Sequence, residues 1–84
     1  QKHLASLLFS PGSAVVPGAA LLHSDRPMGG VTSVARIPAT GEIVGLGYVR
    51  TANAAVGTRL AVEAPAEGWA EVVELPLLFG PGPG

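Results

Sequence analysis

The run His23-Ser24-Asp25 is the first feature of this 84-residue sequence that suggests catalysis, because it contains the three residue types of a hydrolytic triad. A triad needs its three side chains to converge on one substrate, whereas consecutive residues of a strand point to opposite faces. The run is more typical of a polar strand end that leads into a turn before Pro27. We therefore predict no nucleophilic catalysis at this position.

The remaining ionisable side chains offer no better constellation. His3 and His23 are the only imidazoles, cysteine is absent, and no paired spacing of metal ligands occurs, whereas a catalytic zinc ion takes three protein ligands. Glu71 and Glu74 fall on opposite faces of a predicted strand and Glu67 falls in a predicted turn, so no acid–base pair forms across a substrate. The sequence therefore predicts no catalytic residue and no metal site.

The segment Gly45-Leu46-Gly47 precedes the two residues that are best suited to contact a ligand. It is not a phosphate loop, because it lacks a third glycine, a following helix and a lysine. Tyr48 and Arg50 share one face at the end of a predicted strand, where an aromatic ring beside a guanidinium group can stack on a planar ligand. The alternative is rim packing, with the arginine stem lying over apolar surface. Tyr48 and Arg50 are the candidate binding residues.

Glycine and proline, at 12 and 8 of 84 residues, cut the chain into short pieces of similar length. Within these pieces side chains alternate with a period of two. Leu60 and Val62 share one face of their piece, and Val31, Ser33, Ala35 and Ile37 share one face of theirs. The piece that carries the paired glycines is apolar on both faces, which is typical of a strand covered on both sides. The pattern predicts six strands, over residues 2–9, 19–23, 29–37, 43–50, 58–64 and 69–75.

Six antiparallel strands in so short a chain must close their edges, since exposed edges invite aggregation. We predict an all-β fold, a small six-stranded antiparallel Greek-key β-barrel, as one domain over residues 1–76. Pro76 ends the last strand because proline has no N–H for the ladder, and residues 77–84 form a flexible Gly/Pro tail. With 48% apolar and 13% charged residues, the chain is not a disordered segment.

Charge and hydropathy exclude two classes of partner. The net charge is −1 and the five basic residues are spread along the chain, so the basic cluster of a nucleic-acid-binding protein is missing. Residues 4–22 carry no charge, but two Pro-Gly pairs divide them into pieces too short to span a bilayer. A secretory signal peptide is the rival interpretation, and its apolar run would be only the six residues 4–9. We expect neither a nucleic-acid partner nor a membrane partner.

The order of five short motifs resembles the C-terminal barrel of the glycine-cleavage T-protein (aminomethyltransferase) superfamily. That barrel has a G-x-V-T-S strand, a turn with proline, a strand ending in a G-Y-V-like triplet, a G-T-x-x-x-V segment and a closing A-x-V-x-x-L-P strand. Arg36 departs from the pattern, which has no such residue before the turn. The matching residues here are Gly30-Val31-Thr32-Ser33, Pro38, Gly47-Tyr48-Val49, residues 57–62 and residues 70–76.

Within this superfamily the chain looks closest to the YgfZ-like branch, because Gln1-Lys2-His3-Leu4 is similar to the segment that follows that branch's K-G-C-Y-x-G-Q-E motif. The resemblance implies a non-catalytic C-terminal barrel of a cytoplasmic, tetrahydrofolate-binding protein that helps to maintain iron–sulfur enzymes. Its partners are then the N-terminal folate-binding domains of the same parent chain, with Tyr48 and Arg50 on the folate-side rim. Tetrahydrofolate is the implied cofactor of the parent, and none is expected for the isolated barrel.

Two alternatives stay open at this point. The chain is compatible with the C-terminal barrel of a true glycine-cleavage aminomethyltransferase, which is an enzyme only when complete. It is also compatible with an unrelated barrel that acts alone as a protein-interaction module. If the barrel normally packs against further domains, we expect apolar side chains on its outer surface.

Overall fold

The computed structural model describes residues 2–63 and 68–74 of the chain. Within these residues it contains six β-strands, one 3-10 helix over Thr51–Asn53 and no α-helix. No helix in this described part is long and apolar enough to cross a membrane. The strands are β1 (Lys2–Phe9), β2 (Ala20–His23), β3 (Arg26–Arg36), β4 (Ile43–Arg50), β5 (Arg59–Val62) and β6 (Trp69–Val73).

The six strands found in the described residues form one closed barrel in the order β1-β4-β3-β2-β5-β6, with β6 paired back to β1. Every neighbouring pair is antiparallel. β2, β3 and β4 follow one another as adjacent strands, and β1 lies beyond β4 because a long connection separates it from β2. This is the Greek-key arrangement. The predicted all-β, six-stranded antiparallel Greek-key barrel is confirmed.

The barrel interior holds the apolar residues that alternate along each strand. Leu60 and Val62 are 2% and 4% exposed, which confirms their predicted shared face. Burying one such side chain contributes about 1.5–3 kcal/mol, so this interior is the main source of stability in a chain without cysteine. The other interior residues come from all the remaining strands and the β1–β2 connection: Leu7, Phe9, Val15, Ala19, Leu21, Val31, Ile43, Val49, Ala70 and Val72.

β4 pairs along its whole length with β1 and from Ile43 to Val49 with β3. Ile43 and Val44 point to opposite faces of the strand and are 5% and 1% exposed. Both faces of β4 are therefore covered at this end, as the two-sided apolar pattern predicted.

The two glycines of β4 lie on its inner face, where neighbouring atoms leave no room for a side chain. A Cβ on Gly45 would collide with the carbonyl oxygen of Ser33. A Cβ on Gly47 would lie 2.7 Å from the carbonyl oxygen of Gly30 and 2.9 Å from Cδ1 of Leu7. The glycines thus allow β3 and the core side chains to approach β4 closely, which is a structural role rather than a phosphate-binding one.

One predicted face of β3 is wrong. The register against β4 shifts between Val31 and Ser33, which leaves Thr32 as the extra residue of a β-bulge. Beyond the bulge the alternation reverses, so Val34 packs against the core and Ser33 and Ala35 are exposed. The predicted common face of Val31, Ser33 and Ala35 assumed an uninterrupted ladder, and the bulge breaks it.

The β2–β3 connection is tighter than the sequence suggested. Ser24 and Asp25 have φ values of 52° and 64°, and two central residues with positive φ are typical of a two-residue hairpin turn of type I′. β3 consequently begins at Arg26 rather than at the predicted Gly29. Pro27 lies inside the strand near its start, one of the few strand positions that tolerate proline.

The predicted ends of the last two strands fall partly outside the described residues. β5 and β6 are shorter than the predicted residues 58–64 and 69–75. Positions 64 and 75, like the predicted tail over residues 77–84, lie outside the part of the chain that the structure describes. The domain boundary at residue 76 and the tail therefore stay predictions.

Candidate functional site

Tyr48 and Arg50 lie on the outer face of β4, at the end of the strand. Val49 between them is completely buried, and alternation turns its two neighbours outward. Tyr48 is 48% exposed and Arg50 is exposed. The predicted shared face is confirmed, whereas their role in binding stays a prediction.

Leu4 of β1 lies directly opposite Tyr48 in the ladder and is 55% exposed. We call Leu4 and Tyr48 the outer pair. On its other side Tyr48 pairs with Gly30, which has no side chain to cover the ring. The outer pair and Arg50 therefore offer an aromatic ring, an aliphatic side chain and a cation on an open wall. Such a surface can border a planar ligand, but it lacks the concave shape that encloses one.

The triad-like residues do not converge. His23 is exposed at the end of β2, and Ser24 and Asp25 form the tight turn that follows. Glu74 is exposed and Glu67 lies outside the described residues. Within residues 2–63 and 68–74, no three His, Asp or Glu side chains group closely enough to hold a metal ion.

A stacked cluster on β5 and β6 was missed at the level of sequence. The guanidinium carbon of Arg59 lies 3.9 Å from the centroid of the Trp69 ring. Its Nε donates a hydrogen bond of 3.3 Å to Oε1 of Glu71, the residue opposite on β6. Only the β5–β6 register brings these residues together. No pattern among neighbouring residues of the sequence predicts the cluster. The cluster is a surface ion pair with a cation–π contact, which stabilises the strand pair modestly.

A groove of about 560 Å³ runs between β1, the end of β6 and the loop after β4. We call it the edge groove. It is lined by residues 3–6 of β1, Val72 and Val73 of β6, residues 54–56 of the loop, Leu46 and Thr51. Apolar side chains dominate this lining, so the groove suits an apolar occupant.

The edge groove was also missed from the sequence, although one signal for it existed. Connections between strands are usually polar, but the loop after β4 is not. It contains Ala54, Ala55 and Val56 instead, and Val56 is 65% exposed. Apolar residues in a surface loop often mark an interface. A smaller groove of about 240 Å³ lies at the other end of β1, beside Phe9 and Trp69.

These features define a class of protein: a small closed Greek-key barrel with several exposed apolar side chains and, among its described residues, no converging catalytic groups. The family described as the glycine cleavage T-protein C-terminal barrel domain matches residues 2–78. The chain belongs to this family.

Two relatives illustrate the setting in which such barrels occur. An aminomethyltransferase of Prochlorococcus marinus (strain MIT 9303) is 37% identical over 62 residues, which cover 74% of this chain and 17% of that protein. The crystal structure of glycine cleavage system aminomethyltransferase T from Bartonella henselae matches with a TM-score of 0.78 and 27% identity, over 89% of this chain and 21% of that one. This chain thus spans about a fifth of the length of either relative.

Proposed function

We propose that this chain serves as the C-terminal barrel of a glycine-cleavage-type aminomethyltransferase. The observation that carries the proposal is the family match over residues 2–78, which coincides with a complete closed barrel. The relatives support a larger setting, because the chain covers only 17% and 21% of their lengths. In this proposal the barrel supplies a wall for the other domains of its parent chain and performs no chemistry itself.

The outer pair and Arg50 are the surface that we assign to the folate-binding N-terminal domains. Leu4 and Tyr48 are about half exposed on the barrel wall, and such side chains gain stability when a second domain covers them. Tyr48 and Arg50 suit one edge of a tetrahydrofolate molecule, because a planar ring can stack on the tyrosine and an anionic group can pair with the arginine. The open geometry makes them rim contacts, with the enclosing pocket supplied by the other domains.

Binding of tetrahydrofolate to the full-length parent protein tests this assignment. We expect Tyr48→Ala and Arg50→Ala each to weaken the affinity measured by calorimetry by about three- to tenfold, the loss typical of one exposed stacking or charge contact. Arg36→Ala is the matched control, because Arg36 is another exposed arginine but lies at the opposite end of the ladder, where it pairs with Ile43. An unchanged affinity in both test variants would remove Tyr48 and Arg50 from the binding surface.

A cytoplasmic YgfZ-like protein that helps to maintain iron–sulfur enzymes is the second candidate for the parent. It is favoured by one feature, the similarity of Gln1-Lys2-His3-Leu4 to the segment that follows that branch's motif. The two candidates differ in chemistry, since only the first transfers an aminomethyl group. A full-length parent that binds tetrahydrofolate but fails to transfer the group in a reconstituted glycine-cleavage assay would favour the YgfZ-like function.

A further inference from the structure

A groove of about 240 Å³ lies where β1 ends, and we call it the end groove. Two connections line it: Pro11 and Gly12 belong to the one between β1 and β2, and Thr40, Gly41 and Glu42 belong to the one between β3 and β4. Gly12 and Gly41 have φ values of 74° and 78°, a left-handed conformation that glycine adopts without strain. Tight turns therefore shape both connections at the end groove.

Apolar side chains supply most of the remaining lining. Phe9 and Ile43 line the end groove although they are only 2% and 5% exposed, so the groove reaches the boundary of the barrel core. Leu8 and Trp69, which alternate with interior residues, are half-buried on the outer face. Such a lining suits an aliphatic chain.

The Trp69 ring is held in place beside the end groove. The amide of Ser10 donates a 2.9 Å hydrogen bond to the Trp69 carbonyl, and the Ser10 hydroxyl accepts one of 3.1 Å from the Trp69 amide. Arg59 stacks on the ring, but its charge is compensated by Glu71 and it does not line the groove. The ring can attract a further cation from the side of the groove, because the faces of an indole favour positive charge.

Glu42 is the one charged residue among the described residues that line the end groove, and it is exposed. The Thr40 hydroxyl donates a 3.3 Å hydrogen bond to Oε1 of Glu42, and the Glu42 amide donates one of 3.2 Å to Oγ1 of Thr40. These two bonds hold the carboxylate beside the groove. Among the described residues Glu42 forms no ion pair, so its charge is available to a ligand.

We propose that the end groove binds a lysine side chain of a partner protein. The aliphatic stem of the lysine lies against Leu8 and Pro11, and its ammonium group reaches Glu42 and the ring of Trp69 at the rim. The volume is below the roughly 300–1,000 Å³ of a small-molecule pocket, so the groove suits a single side chain. The proposal is independent of the aminomethyltransferase function, because it uses a different surface of the barrel.

The carboxylate favours lysine over arginine. Oε1 of Glu42 already accepts a hydrogen bond from Thr40, whereas a guanidinium group pairs best with both oxygens of a carboxylate. A compact ammonium group needs only one oxygen. We therefore expect the end groove to discriminate between the two basic side chains.

A titration of the 84-residue chain with short peptides, followed by NMR, tests the proposal. The probes are the capped tripeptide Gly-Lys-Gly and its norleucine counterpart, which keeps the aliphatic stem but has no ammonium group. We expect the lysine peptide to bind about three- to tenfold more tightly, as one exposed ion pair and one exposed cation–π contact imply. The indole N–H of Trp69 and the amide of Gly41 should report the binding. Equal affinities of the two peptides would overturn the proposal.

A matched pair of glutamate variants locates the charge that lysine meets. Glu42→Gln keeps the shape and the acceptor for Thr40 but removes the charge, so the preference for the lysine peptide should fall to about twofold or less. Glu74→Gln is the control, because Glu74 is also exposed but does not line the end groove. It should leave the preference unchanged. The same preference in both variants would show that Glu42 does not bind the ammonium group.

Three other occupants give different results, and each would overturn the proposal. If the arginine counterpart binds as tightly as the lysine peptide, the groove does not select lysine. If n-butylammonium binds as tightly, the ligand is a free amine and not a protein side chain. If a second copy of the chain inserts its single lysine, Lys2, the Trp69 signal shifts with protein concentration before any peptide is added.

Discussion

The two halves of β1 differ in pairing and in burial within the described residues. In the half from Ser6 to Phe9, both edges are paired, and Leu7 and Phe9 are 0% and 2% exposed. In the half from Lys2 to Ala5, β4 is the only paired neighbour among the strands of the described residues, and Leu4 is 55% exposed. The same strand thus supplies large interior side chains at one end and an exposed leucine at the other.

The difference between the two halves of β1 separates the residues that stabilise the barrel from those that lie on its surface. The half from Ser6 to Phe9 places large side chains in the interior, where their burial stabilises the fold. The half from Lys2 to Ala5 pairs with β4 and carries the exposed side chain of Leu4. Exposed and buried residues therefore fall mainly in different halves of one eight-residue strand.

The largest loss of stability is expected from a substitution that places a charged side chain in the barrel interior. Leu60→Asp places an unpaired carboxylate at a position that is 2% exposed, so we expect a loss of more than about 4 kcal/mol and an unfolded domain. Val31→Asp should act in the same way. Ala61→Asp is the matched control, because this neighbour of Leu60 is exposed. A cooperative thermal transition of Leu60→Asp, followed by circular dichroism, would mean that the faces of β5 are reversed.

A substitution of leucine by alanine in each half of β1 tests the difference between them. Leu7→Ala empties an interior position and should lower the free energy of unfolding by about 2–5 kcal/mol. Leu4→Ala removes a side chain that is 55% exposed and should cost roughly a third as much. Urea denaturation of the two variants provides the measurement. Equal losses would show that the two halves of β1 are buried alike.

A smaller effect is expected from the close approach of β3 to β4. Gly45→Ala drives a methyl group against the carbonyl oxygen of Ser33 and should destabilise the domain by about 1–3 kcal/mol. In Gly30→Ala, the new Cβ meets only the carbonyl oxygen of Ala19, at 3.7 Å. This control should be neutral or stabilising by up to about 1 kcal/mol, because alanine restricts the unfolded chain. A neutral Gly45→Ala would mean that the two strands separate easily.

Much of the barrel fold was predictable because it depends on sequence patterns among residues that are close together in the chain. The predicted bounds of β1 and β4 are the observed ones, since turn residues delimit both strands. The inner face of β5 and the shared outer face of Tyr48 and Arg50 also followed from simple alternation. The absence of a converging triad at residues 23–25 needed only the geometry of neighbouring residues.

Two features were missed for the same reason, which is that each strand was considered without its partner. The bulge at Thr32 arises from the fit of β3 to β4, and the Thr32 hydroxyl donates a 3.1 Å hydrogen bond to the carbonyl of Leu46. The stacking of Arg59 on Trp69 likewise exists only because β5 and β6 lie in one register. Neither feature can be predicted from the residues next to it along the chain.

Turn chemistry and alternating side chains were enough to specify six extended segments, their inward faces and the need for closure, because these depend on residues a few positions apart. The order of the strands and the bulge in β3 arise instead from pairings such as Lys2 with Arg50 and Val34 with Gly45. Such pairs lie far apart along the chain, and their free energy exists only once the whole ladder has formed.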